Sequence, residues 1–210
     1  MSSQVRGGTR WKRFALVMVP SVVATAAVGV GLAQGALAAS FSISGQDFKV
    51  TADQLVGHDF VQYGNVATGG AGNHPVAVSG FSDAKITNMC QSVVTPIPGL
   101  GTWTLKLTAG TKENKPVEAT KLYLDVSELD ADAYFEHIDI GVAAGSLGKD
   151  SNGQFGVQPD TKGASPYGFA QRAETATLTN VSQRAWATTA GTFKLSNLSL
   201  RLNHDANECE

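Results

Sequence analysis

Apolar side chains in this chain recur at every second position far more often than at every third or fourth, and that spacing decides the class of fold. Trp103, Leu105 and Leu107 are separated by Thr and Lys; Leu122, Leu124 and Val126 repeat the pattern, as do Phe41 with Ile43 and Phe48 with Val50. Successive side chains of a strand point to opposite faces, so each run reads as a strand with one buried face. Gly and Pro punctuate the runs at Gly69-Gly70-Ala71-Gly72-Asn73, at Pro96-Ile97-Pro98-Gly99 and at Asn152-Gly153, the last a favoured two-residue hairpin turn. The expectation is a mainly β chain: a single domain of twisted antiparallel sheet, sandwich or barrel-like, with few or no helices after an N-terminal signal helix.

Two irregularities modulate this pattern. Leu129, Ala131, Ala133 and Phe135 keep one alternation while Ile138 and Ile140 keep the other, which predicts a bulge near Glu136-His137 that shifts the phase. A hydroxyl residue, an asparagine and an apolar residue also recur together, as Thr87-Asn88-Met89, Thr179-Asn180-Val181 and Ser196-Asn197-Leu198. Their unequal separations exclude a solenoid. They read as three strands with similar ends or, more sharply, as similar strands lining one apolar face of a large twisted sheet of the kind that cradles lipid. Gly145 to Gly168 is rich in Gly, Ser, Asp and Pro and reads as a long exposed loop or hairpin.

The 26 residues from Phe14 to Ala39 carry no charge and follow Arg6, Arg10, Lys12 and Arg13. A cationic start, an apolar middle and the small-residue site Ala36-Leu37-Ala38 are the parts of an export signal, with cleavage expected after Ala38. The alternative is an uncleaved anchor, because about 20 apolar residues suffice to cross a bilayer as a helix. Pro20 and the Ala- and Gly-rich second half favour removal. Residues 1–38 are thus expected to be a signal peptide or N-terminal membrane anchor, and residues 39–210 an exported β domain, secreted or held at the cell surface. Residues 14–39 would contact the membrane at least during export.

Loss of residues 1–38 removes four of the 16 basic residues and none of the 18 acidic ones, leaving an excess of six negative charges. The remaining basic residues are scattered singly, so nucleic-acid binding is not expected. Both cysteines, Cys90 and Cys209, fall in the exported part, where thiols pair, and a disulfide between them is expected. The alternative is a buried free thiol at Cys90 and a frayed one at Cys209.

Chemistry is sparsely signalled. Ala144-Gly145-Ser146-Leu147-Gly148 is similar to the nucleophile elbow of serine esterases, with Ala in place of the first Gly, and Asp160 and His204 follow in the order of an α/β-hydrolase triad. An elbow holds its serine between a strand and a helix, whereas a turn-forming Lys149-Asp150-Ser151-Asn152-Gly153 follows here. Ser146, Asp160 and His204 are therefore catalytic candidates on order alone. His58, His74, His137 and His204 have none of the close spacings of a metal site, and no metal or other cofactor is expected. Asp150 to Gly153 matches part of a calcium loop without its later glutamate, and the Gly69 to Gly72 cluster lacks the lysine of a phosphate loop.

The join Ala33-Gln34-Gly35-Ala36-Leu37-Ala38-Ala39-Ser40-Phe41, the segment Phe60-Val61-Gln62-Tyr63-Gly64, Cys90-Gln91-Ser92 and Thr188-Thr189-Ala190-Gly191-Thr192-Phe193 resemble an actinobacterial family of small exported proteins commonly labelled cholesterol esterase. The resemblance runs over most of the chain and implies steryl-ester hydrolysis. It brings no active-site pattern, so no residue takes a role from it. The combined expectation is an exported, lipid-associated β protein with lipid or a sterol ester as partner. The alternative is a non-catalytic structural or adhesive protein of the cell envelope.

Overall fold

The alternating runs form strands longer than those of most globular proteins. The first, β1 (Phe48–Gly69), spans 22 residues and turns back into β2 (Gly72–Thr87) and β3 (Met89–Ile97). Leu55 faces Ile86 and Thr51 faces Cys90, so β2 and β3 continue one another along β1 in a single register. A three-residue loop, Pro98-Gly99-Leu100, leads to β4 (Gly101–Ala109), with Gly99 at a φ of 81°. The long β5 (Val117–Glu136) and the short β6 (Asp139–Ala143) lie end to end along β7 (Phe169–Thr189), which β8 (Thr192–Lys194) prolongs, and β9 (Ser199–His204) pairs with β4. The computed structural model describes residues 45–69, 72–147 and 164–210. The segment 1–38 with Ala36 and Ala38, and also Asp160 and the Asn152-Gly153 turn, lie outside the described residues. Among the described residues no helix is long and apolar enough to cross a membrane.

All strand pairs are antiparallel. β1 pairs with β2, β2 with β5, β5 with β7, and β7 returns to β1, which closes four long strands into a ring. From Tyr63 the register leads to Val78, Asp125 and Ala187, while Ala185, just beyond, faces Phe48 at the other end of β1. Such a large stagger tilts the strands steeply and widens the interior beyond what four upright strands could enclose. The expected antiparallel, barrel-like β fold is thus observed.

The two faces of the sheet bury different clusters. Leu55, Phe60, Phe81, Leu124, Leu178 and Val181 fill the inside of the ring. Val61, Tyr63, Val78 and Tyr123 meet Ala144 and Leu147 on the opposite face. Asp59, at a φ of 51° within β1, shifts the phase of the strand and lets neighbouring stretches of β1 serve different clusters. The predicted phase shift also falls where expected, since His137 adopts a φ of 52° between β5 and β6.

The recurring asparagines have a sharper role than similar strand ends. Asn88, Asn180 and Asn197 all occupy the left-handed region, with φ of 51°, 55° and 55°. Asn tolerates this conformation better than a β-branched or bulky residue does. Asn88 separates β2 from β3, Asn180 interrupts the pairing of β7 with β5, and Asn197 turns the chain into β9.

β3, β4 and β9 extend the sheet beyond the ring, and the tail after His204 covers one of their faces. The expected disulfide between Cys90 and Cys209 is present, with a Cα separation of 5.9 Å. Thr104 Oγ1 donates to Asp205 O at 2.7 Å and accepts from Asn207 N, and Cys209 N donates to Ser92 Oγ at 3.0 Å. Arg184 reaches both Glu208 and Asp47. The other face of this extension presents Leu105 opposite Leu202 and Leu107 opposite Leu200.

Candidate functional site

The inside of the ring is incompletely filled. A cavity of about 240 Å³ lies among Leu55, Phe60, Phe81, Leu124, Leu178 and Val181, and the second half of β5 borders it with Leu129, Ala131, Ala133 and Phe135. β2 leaves β5 after Ala77 faces Val126, so the later residues of β5 pair only with β7 and stand as a free edge. Leu129, 37% exposed, and the exposed Ala133 place the mouth there. The rings of Phe60 and Phe81 lie 5.4 Å apart and those of Phe60 and Phe135 5.2 Å apart, which forms an aromatic wall.

Among the described residues, four polar side chains reach this apolar space and no charged one does. Three of them form a row set by register, because Gln62 on β1 lies directly opposite Ser79 on β2 and Gln171 on β7. Gln171 Nε2 donates to Gln62 Oε1 at 2.6 Å, and Gln62 Nε2 donates to Ser79 Oγ at 3.0 Å. This row satisfies itself within the wall.

Gln183, the fourth, is different. It is 7% exposed and its direct cross-strand neighbours are Val50 and Leu129, neither of which offers a side-chain hydrogen bond. No side-chain partner reaches its amide among the described residues, although the amide carries both donors and an acceptor. Its amide faces the open cavity, where water or a ligand can meet it. The register sets Gln183 in line with Val181 and Ala185 on the inward side of β7.

A second, larger cleft of about 360 Å³ lies near Asp59, His137, Asp139, Arg172 and Glu174. Its charges are largely consumed by one another: Arg172 Nε donates to Asp139 Oδ2 at 2.9 Å, and His137 Nδ1 lies 3.0 Å from Glu174. On the outer face of the ring, His74 stacks on Trp186 at 3.6 Å, and His74 Nε2 and Asn65 Oδ1 are buried without partners. Tyr123 and Asp125 lie on that outer side too, and burial raises the pKa of both.

The sequence-derived catalytic candidates occupy separate places. Ser146 lies in a four-residue 3₁₀ turn, Ala144–Leu147, directly after β6, where an elbow would need the start of an α-helix. Its hydroxyl donates to Ala143 O at 2.6 Å. His204 ends β9, at the opposite end of the strand order, where its ring meets Trp103 edge-on at 5.1 Å and its Nδ1 lies 3.1 Å from Asp205. Asp160 is outside the described residues. The fold does not bring Ser146 and His204 into one site. Among the described residues, no three His, Cys, Asp or Glu side chains gather as metal ligands.

Gln62, Ser79, Gln171 and Gln183 carry no motif that a sequence reading would single out. The available signal was phase: Gln183 shares the two-residue period of Val181 and Ala185, both buried, and Gln62 shares that of Phe60.

Fold and cavity together define a closed antiparallel β protein with a solvent-accessible apolar interior. The chain belongs to the family of unknown function DUF6230, which matches it over residues 44–210. No curated protein and no solved structure matches it.

Proposed function

We propose that this is an exported, lipid-associated β protein that holds a hydrocarbon chain inside its ring of strands. The observation that carries the reading is the 240 Å³ cavity, walled by aliphatic and aromatic side chains and open along the free edge of β5. An empty apolar space forfeits the dispersion contacts of its lining, and a ligand of matching chemistry restores them. The volume falls below the roughly 300–1,000 Å³ of pockets that enclose drug-sized molecules. It suits one acyl chain, or a small ring, better than a whole steryl ester. Export is supported by the uncharged run 14–39 behind its cationic start.

Ester hydrolysis, which the resemblance implies, has no support from geometry. A serine nucleophile needs a base within hydrogen-bond reach, and the Ser146 hydroxyl is engaged with Ala143 O while His204 stands on β9. The reading is tested by adding an environment-sensitive fluorescent fatty acid to the purified protein. Saturable binding is expected, and Ala131→Trp, which fills the mouth, is expected to abolish it without lowering the unfolding midpoint. Absence of saturable binding, or binding unaffected by that substitution, rejects the cavity as the site.

A further inference from the structure

We infer that the cavity selects ligands whose apolar chain carries an uncharged hydrogen-bonding group, an ester or alcohol, and that Gln183 is the side chain that binds this group. The inference rests on the proposed cavity function and adds the ligand's polar chemistry to it. Three observations converge on it.

Gln183 is nine-tenths buried, lines the cavity, and has no side-chain hydrogen bond among the described residues. The row Gln171, Gln62 and Ser79 shows what the same wall looks like when polar groups are meant to satisfy one another. Gln183 stands outside that row, between Val50 and Leu129, so its register neighbours offer it no hydrogen bond and its donors and acceptor face whatever enters. It also borders a small void of about 30 Å³ lined in part by Gln91, Thr188 and Phe193, while its cross-strand neighbour Leu129 stands at the mouth, so a chain entering there passes its amide.

The third observation is electrostatic. Among the described residues no Lys, Arg or His lines the cavity, so a carboxylate or phosphate drawn inside would lose its hydration with no lining cation to replace it. An ester carbonyl or a hydroxyl has a far smaller desolvation cost, and a glutamine amide answers either one, donating to a carbonyl oxygen or accepting from a hydroxyl. A pure hydrocarbon would fill the space and leave Gln183 unpaired. Specificity then comes from the site's own buried polar group, which penalises ligands that cannot meet it.

The test is calorimetric titration of the full-length protein at neutral pH with 1-octanol, methyl octanoate and octanoate, which share a chain and differ in the polar end. The alcohol and the ester are expected to bind at least about tenfold more tightly than the carboxylate, and Gln183→Leu is expected to weaken the first two by about tenfold and to leave the third unchanged. Leu is close in size to Gln and removes an unpaired amide, so the variant is expected to fold at least as stably; its unfolding midpoint checks this. Equal binding of all three, a preference for octanoate, or an unchanged profile in Gln183→Leu overturns the assignment while leaving the cavity function standing. No binding of any of the three rejects the cavity function itself, and the assignment with it.

Discussion

The side-chain amide of Asn180 donates to Asp132 Oδ2 at 2.8 Å, across a point where the pairing of β5 and β7 slips by one residue. Asn88 does the same for Asp53 at 3.1 Å, at the junction of β2 and β3. Both asparagines hold a left-handed backbone, so each combines a conformation that disrupts a ladder with a side chain that ties the gap. The bends that let long strands coil into a ring are thereby fixed in place.

Replacing Asn180 by Val should destabilise the fold by about 1–3 kcal/mol, because a β-branched residue tolerates a positive φ poorly and the bond to Asp132 is lost as well. Gly at the same position keeps the conformation accessible and should cost less than Val. Urea unfolding of the two variants checks the order. A Val variant as stable as the Gly variant would mean that the bend is not held by this residue.

Reduction of the Cys90–Cys209 disulfide opens a loop with a sequence separation of 119 residues. The chain-entropy model gives about 4–5 kcal/mol for a closure of this size. The tail it tethers also meets Ser92, Thr104 and Arg184. Cys209→Ser should therefore lower the thermal midpoint and raise hydrogen exchange at β3 and β4 more than in the ring. The comparison of exchange rates in oxidised and mutant protein reads this directly.

Asp125 is buried enough that desolvation raises its pKa above the ordinary carboxylate range. A carboxyl whose folded pKa lies above its unfolded value of about 3.9 opposes folding when ionised. The folded state binds the proton more tightly, so this contribution improves as pH falls through the folded pKa and the cost is fully present above it. Asp125→Asn should stabilise the protein at neutral pH, and the gain should vanish near the unfolded pKa. Parallel pH profiles for the two proteins would refute the assignment of the shift to this residue.

Much of the fold was legible because a strand declares its faces in its own sequence. The run Leu122, Leu124, Val126 points inward as its alternation requires, and the change of phase after Phe135 appears as the left-handed His137. The two cysteines pair, as expected from the oxidising environment the sequence suggested. The asparagine pattern was visible but its meaning was not, because a positive φ is a property of the backbone path rather than of residue spacing. The cavity was less legible still. Gln62, Ser79 and Gln171 become neighbours only through the registers of three strands, and the order of Ser146, Asp160 and His204 along the chain carries no information about which strands will separate them.

The close approach of Gly57 to Phe81 offers the most direct probe of how tightly the ring is packed around its cavity. A Cβ on Gly57 would lie 2.3 Å from Phe81 Cδ1, a distance that forces the ring to move. Phe81 is 2% exposed, packs on Phe60 and lines the cavity, so a displaced ring has the cavity beside it as open space. Gly57→Ala should therefore cost about 1–3 kcal/mol and also reduce the cavity's ability to bind a chain. Phe81→Leu alone should destabilise by removing buried ring surface, but in the double variant the smaller side chain clears space for the new methyl. The two changes should be less harmful together than their separate effects predict, with a coupling of about 0.5–3 kcal/mol. Strict additivity in a double-mutant cycle of urea unfolding would show that the two positions do not touch, and would remove Phe81 from the wall of the cavity.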